Sequence, residues 1–291
     1  MKTTIQQLKE RYPDEILYSN FPEAAEYGAG ETPTCPHCGK QMPFMGFISG
    51  ESVHWLREAK QACECEGAAK AAAEEKAREK EAKRREKVKE LQEYAGLAAR
   101  DISRTFDNFT ETPENRKALK TARLYSQRVI DGTVLQLPQN SLYIYGNYGT
   151  GKTHLAAAIA NEAIANGKQV VYTRFGELCR DVKRAYESKA KEGEDNILRK
   201  YKTCFLLVLD DLGKEKITDW SLALLFELID SRYRDMLPTV ITANYSVEQT
   251  VDKLTANGAD ACTAGAIEDR LQEVYYQPYI DGQSWRRAGR N

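Results

Sequence analysis

An α/β fold, with a parallel sheet covered by helices on both faces, follows from three features of the sequence. A β-branched and aromatic run, Leu142-Tyr143-Ile144-Tyr145, leads into Gly146-Asn147-Tyr148-Gly149-Thr150-Gly151-Lys152-Thr153 and then into an apolar helix, Leu155 to Ala160, closed by Asn166-Gly167. Strand-forming runs recur at Gln169–Thr173, Phe205–Leu209 and Thr239–Ala243, with helical patterns between them. Phe205–Leu209 is apolar throughout, so both of its faces must be covered, as in a parallel sheet. The ligand of such a sheet sits at the carboxyl ends of its strands.

The chain has 291 residues and a net charge of −1, enough for one large domain or two modest ones. That charge points to neither nucleic acid nor membrane as a partner of the whole surface. No apolar run reaches the roughly 18 residues of a membrane helix, and Met1 to Gln7 lack the apolar core of a signal peptide. A cytoplasmic protein with no membrane partner is expected. In a reducing compartment the seven cysteines suggest metal ligation or free thiols rather than disulfides.

In chain order, a short amphipathic helix is expected from Ile5 to Tyr12, then a segment punctuated by Pro22, Gly28, Gly30 and Pro33. Cys35-Pro36-His37-Cys38-Gly39 is a zinc-knuckle pattern: two thiolates two residues apart can take two corners of a tetrahedron. Cys63-Glu64-Cys65 supplies the other two, with His54 as the substitute if either thiol falls short. Four sulfurs close a zinc site, so its role would be structural. Met42, Phe44, Met45, Phe47 and Trp55 form either a small core around the metal or an adaptable docking surface. From Glu66 to about Arg100 the composition turns to Ala, Glu, Lys and Arg, with Glu74–Arg78, Glu79–Lys83 and Glu81–Arg85 four apart. This predicts a solvated helix. The expected domains are therefore 1–68 (zinc-binding), 69–100 (charged helical linker) and 101–291 (α/β). Cys179, Cys204 and Cys262 read as buried structural thiols.

The strand–glycine loop–helix unit is a phosphate cradle, in which Gly146 to Thr153 turn amide N–H groups inward at a helix start. Lys152 would neutralise β/γ-phosphates, and Thr153 would hold magnesium. Asp210 ends the apolar strand, where a carboxylate faces the loop threonine and shares the magnesium; Asp211 is placed to polarise the attacking water. Asp210-Asp211-Leu212-Gly213 also fits the Asp-x-x-Gly of GTPases. The later strand ends in Thr242-Ala243-Asn244-Tyr245 without the Asn-Lys-x-Asp that reads guanine, which favours ATP. Asn244 could orient the water or touch the γ-phosphate. Between Arg174 and Lys202, nine cations interleave with Phe175 and Tyr186, a pattern suited to single-stranded DNA, with bases stacking on the rings.

Gly146 to Thr153, Leu207-Val208-Leu209-Asp210-Asp211-Leu212-Gly213, Ile241-Thr242-Ala243-Asn244, Thr105-Phe106-Asp107-Asn108-Phe109 and Gly282-Gln283-Ser284-Trp285-Arg286 together resemble the AAA+ ATPases of the DnaC/DnaI helicase-loader and IstB group. The resemblance covers about 101–291, and the cysteine-bearing front half is similar to the zinc-containing, helicase-binding domain of DnaI-type loaders. It implies a slow ATPase that uses ATP, Mg2+ and Zn2+ to load a DnaB-type hexameric helicase onto single-stranded DNA. It also implies that Arg270, in Ile267-Glu268-Asp269-Arg270-Leu271, acts as an arginine finger on a neighbouring subunit, giving self-association. Arg286 would contact the phosphates of its own subunit's nucleotide. Asp211 stands where many AAA+ proteins carry Glu, which suggests weak hydrolysis. The alternatives are an IstB-like transposase helper acting on duplex DNA, and a non-hydrolysing zinc adaptor that senses nucleotide.

Overall fold

The computed structural model describes residues 5–60, 63–187, 191–214, 217–256 and 258–285. It divides into two compact units, residues 1–84 and 85–291. Among the described residues no helix is long and apolar enough to cross a membrane.

In the first unit, helix α1 (Ile5–Arg11) precedes an antiparallel three-stranded sheet of β1 (Ile16–Tyr18), β2 (Phe44–Ser49) and β3 (Ser52–Lys60), ordered β1-β2-β3. These strands are not among the elements expected from sequence. Period-two alternation sends Leu17, Phe44 and Ile48 onto α1 Leu8, with Phe21, Ala24 and Ala29 completing the core. Ile16, Tyr18, Phe47 and Leu56 remain exposed on the opposite face. The Met42–Trp55 group is thus split: Phe44 and Trp55 pack on the core, and Phe47 faces outward.

Helix α2 (Glu66–Ala95) is solvated over most of its length, and the left-handed Gly96 follows its last residue. Val88, Leu91 and the buried Ala95 in its final turns pack on the core of the second unit. A short α3 (Ala99–Ile102) and the amphipathic α4 (Arg116–Asp131) lead into β4 (Ser141–Gly146) and α5 (Lys152–Ala165). Then come β5 (Val170–Arg174), α6 (Phe175–Glu187), α7 (Lys191–Thr203), β6 (Leu206–Leu212), α8 (Asp219–Arg234), β7 (Thr239–Ala243), α9 (Val247–Thr255), α10 (Ala261–Val274), β8 (Tyr275–Tyr276) and β9 (Tyr279–Ile280). The sheet is parallel, ordered β5-β6-β7-β4-β8, with β9 also pairing to β4.

Both faces are covered, as the apolar strands require. Leu142 and Ile144 of β4 and Leu206 and Val208 of β6 face the core shared with α4 and α5. Tyr143, Leu207 and Leu209 point into the core shared with α6, α8, α9 and α10. Cys204 is buried, whereas Cys179 is half-buried and Cys262 is exposed in the first turn of α10, so only Cys204 is a core thiol.

Candidate functional site

In the second unit, the loop between β4 and α5 lies at the carboxyl ends of β4, β6 and β7. Its glycines answer specific close approaches. A Cβ on Gly146 would come within 2.0 Å of the Ile280 carbonyl oxygen, and one on Gly149 within 2.2 Å of Ser284 Oγ. Both have φ values that L side chains rarely adopt, +143° and +81°. Thr150 donates from its hydroxyl to the Asn147 carbonyl at 2.9 Å and closes the loop. The Lys152 ammonium donates to the carbonyls of Gly146 (2.9 Å) and Asn147 (2.6 Å), so it spans the loop it belongs to. Asn147 reaches Asp281 Oδ1 at 3.3 Å.

The end of β6 brings two adjacent aspartates into different surroundings. Asp210 is buried and accepts from the hydroxyls of Thr242 (2.7 Å) and Thr153. Burial pushes its carboxyl above the usual range, with the two hydroxyls pulling it back. A buried carboxylate beside a threonine hydroxyl is a hard-oxygen donor set that suits magnesium. Asp211 occupies the left-handed region at φ +68°, where the register of β6 against β7 shifts between Leu209 and Leu212. Its amide donates to Thr242 Oγ1 at 2.8 Å. That bulge turns the Asp211 carboxylate toward Asn244, whose Nδ2 lies 3.4 Å from Oδ1, and toward Lys214, whose ammonium donates to Oδ2.

A cavity of about 300 Å³ is lined by Tyr148, Gly149, Gly151, Lys152, Thr153, Asp211 and Asn244, all singled out from sequence, while Asp210 is not in its lining. It also has walls the sequence reading did not name as site residues: Arg104, Asn108, Phe109, His154, Lys214 and Trp285. The Thr105–Phe109 segment reaches it because His154 bonds the Thr105 carbonyl at 2.8 Å and its ring meets Phe109 edge-on at 5.2 Å. Burial lowers the His154 pKa. Arg270 does not line the cavity. Its guanidinium donates to Asp230 Oδ1 (2.8 and 2.5 Å) and the Ala266 carbonyl (2.8 Å), and lies over the rings of Phe226 and Tyr233. Arg286 falls outside the described residues.

The basic stretch departs from its expected form. Phe175 is fully buried in the core and cannot stack on a base, because it is the first, inward-facing residue of α6. The side chains of Tyr186 and Lys191, and all of Lys189, lie outside the described part of the structure. Lys202 pairs with Glu227 at 2.5 Å, and Lys183 sits over the ring of Trp220. Arg184 and Lys200 line a groove between α6 and α7 with Asp181 and Tyr201.

In the first unit the four cysteines meet. Cys35, Cys38, Cys63 and Cys65 place their sulfurs within 4.8 Å of one another. Zinc–sulfur bonds of about 2.3 Å in a tetrahedron require sulfur–sulfur edges of about 3.8 Å. Here Cys35–Cys65 measures 3.7 Å and Cys38–Cys63 measures 3.4 Å, so the donors fit the ion. Amides of His37 and Cys38 hold the Cys35 thiol down to about 6, favouring the ligating thiolate. His54 instead stacks on Phe47, with ring centroids 5.4 Å apart.

A family model described as IstB-like ATP-binding protein matches residues 59–291, well over half the chain. The chain belongs to the IstB-like ATP-binding protein family. Among curated relatives of this IstB-like chain, the replicative helicase loader DnaI of Bacillus subtilis is 32% identical over 149 residues, covering 50% of this chain and 47% of that protein. The replicative helicase loader DnaC of Escherichia coli K12 is 27% identical over 162 residues, or 55% and 63% of the two chains. The IstB-like chain thus spans between about half and two thirds of these relatives. In fold it matches the crystal structures of DnaI (24% identical, TM-score 0.52, 65% of this chain and 94% of that one) and of the DnaC helicase loader (24%, 0.51, 63% and 100%). The second unit therefore has the AAA+ fold.

Proposed function

We propose that this chain is an ATP-switched loader of a DnaB-type hexameric replicative helicase onto single-stranded DNA. The observation that carries the reading is the cavity that Tyr148, Gly149, Gly151, Lys152 and Thr153 of the loop share with Asp211 and Asn244, with the buried Asp210 bonded to Thr153 and Thr242. The likeness to proteins named replicative helicase loaders supports helicase loading as the work of such a switch.

In this reading the loop amides of Gly146 to Thr153 take the phosphates of ATP, and Lys152 gives up its two carbonyl partners to neutralise them. Thr153 and Asp210 hold magnesium, which when bound neutralises phosphate charge. Asp211 polarises the lytic water and Asn244 orients it. Arg270 leaves Asp230 to reach the γ-phosphate of a neighbouring subunit, so self-association and turnover are coupled; Arg286 serves its own subunit's nucleotide. Cys35, Cys38, Cys63 and Cys65 hold a structural zinc that shapes the helicase-binding unit. Cations of α6 and α7, among them Arg180, Lys183 and Arg184, track the phosphates of single-stranded DNA. The exposed part of Trp220, under Lys183, is a better stacking surface than Phe175. Work is done by the difference in affinity between ATP- and ADP-bound states.

The family description favours one other reading, an IstB-like helper of a transposase that acts on duplex DNA. Nucleotide binding and turnover test the site, and helicase and DNA binding separate the two readings. Lys152→Ala should abolish ATP binding, while Arg270→Ala should keep binding and lose turnover; normal hydrolysis by Arg270→Ala removes the finger role. The intact chain should bind a purified DnaB-type hexamer and prefer single-stranded DNA in a salt titration. A duplex preference with no helicase complex moves the assignment to the transposition helper.

A further inference from the structure

Lys214 follows the left-handed Gly213 just beyond β6, and the sequence motifs give it no role. Its ammonium donates to Asp211 Oδ2 and lies over the ring of Tyr148, 5.8 Å from the centroid, so it bridges the end of β6 and the phosphate loop. It also lines the same cavity as Lys152, Thr153 and Asn244. With Asn244 3.4 Å from the other oxygen, both oxygens of Asp211 face donors. A carboxylate so engaged is poorly placed to accept a proton from water.

The pair is also easily exchanged. Side-chain exposures of 41% for Lys214 and 24% for Asp211 leave it screened by solvent, and such pairs contribute little net stability. An ammonium is a compact, mobile point charge on a flexible stem, well suited to passing from one oxyanion to another. The terminal phosphate of a triphosphate offers more charge than one carboxylate, and a diphosphate has no group to place there.

We propose that Lys214 reads the γ-phosphate: Asp211 holds its ammonium until a nucleoside triphosphate draws it away, and that transfer unmasks Asp211. The inference rests on the nucleotide-binding reading of this cavity and adds the residue that distinguishes ATP from ADP. Lys214 is a positioning residue for Asp211 and a ligand of the third phosphate.

The test is calorimetric binding to the intact chain of Mg·ADP and of a magnesium-bound, non-hydrolysable ATP analogue, which needs no turnover. Lys214→Met should weaken the analogue about tenfold, the scale of one lost charge-assisted contact, and leave ADP within about twofold. Lys214→Arg should restore part of the discrimination, and Lys214→Gln should repeat the loss. Asp211→Asn frees the ammonium in advance, so it should tighten the analogue severalfold in the parent and have no effect in a Lys214→Met background. Equal weakening of ADP and analogue by Lys214→Met overturns the proposal. So does Asp211→Asn tightening the analogue equally in both backgrounds, because simple charge repulsion then explains it. If the parent chain binds neither nucleotide, the cavity reading itself fails and the proposal goes with it.

Discussion

The core of residues 1–84 is Leu8, Leu17, Phe21, Ala24, Ala29, Phe44 and Ile48, gathered under one face of a three-stranded sheet. Residues 85–291 instead bury both faces of a parallel sheet under helices. A unit of the first size removes too little apolar surface from water to offset chain entropy comfortably. It converges four thiols on one point and still leaves Ile16, Tyr18, Phe47 and Leu56 exposed. The second unit has burial to spare and tolerates costly local features: a left-handed aspartate, three phosphate-loop glycines at positive φ and a buried guanidinium. Metal should therefore decide whether the first unit is folded, and packing whether the second is.

Chelation, or Cys38→Ser, should have the largest effect. Structural zinc contributes on the order of 10 kcal/mol of folding free energy at neutral pH. Calorimetry of the intact chain should lose the transition of residues 1–84 and keep that of 85–291. Loss of both transitions together would break the comparison.

Next in size is Arg232→Met. Arg232 is 2% exposed and donates to the carbonyls of Tyr201 (2.9 Å), Cys204 (3.0 Å) and Pro238 (2.7 Å) and to Thr239 Oγ1 (2.9 Å), tying the ends of α7 and α8 to the sheet. Methionine fills much of the space and removes all of those donations from a buried site, at a cost of roughly 3–5 kcal/mol. Urea denaturation should show the whole loss in the second unit. Gly46→Ala should be smaller and confined to the first. Its Cβ would fall 2.5 Å from the Trp55 ring, and a displaced indole costs roughly 1–3 kcal/mol. With zinc bound, the first unit should survive it.

The same contrast governs what could be read in advance. The second unit announces itself because apolar strands and glycine loops are local signals: β7 spans Thr239–Ala243 as expected, β4 extends its expected run by a residue at each end, and β6 starts one residue later than expected, at Leu206, and runs on to Leu212. In the first unit β1 is three residues long, and β2 alternates Phe44 and Ile48 inward with Met45 and Phe47 outward around Gly46. Those strands are fixed by pairing and by the cysteine-bearing turn, not by propensity. The cysteine spacing was legible; which four atoms meet needed the fold. Lys214 carries no signature at all, since its contact depends on a bulge that reorients Asp211. Phe175 looked accessible among cations and is buried because helix phase, not neighbouring charge, decides which way it points.

The smallest expected effect tests whether surface groups matter to the second unit. Asp260 caps α10, the helix of Arg270, accepting from the amides of Cys262 (3.2 Å) and Thr263 (3.0 Å) and from the Thr263 hydroxyl. The Thr263 hydroxyl and then the two amides hold its carboxyl below the usual range. A depressed carboxylate adds stability that is present above its unfolded pKa and fades as pH falls through the folded one. Asp260→Ala should therefore lower the second transition by a few degrees at most at neutral pH, and the gap between parent and variant should close in acid. Near-complete loss of that transition would mean that α10 is held by its cap rather than by Ala264, Ile267 and Leu271 in the core, and packing would then no longer account for the second unit.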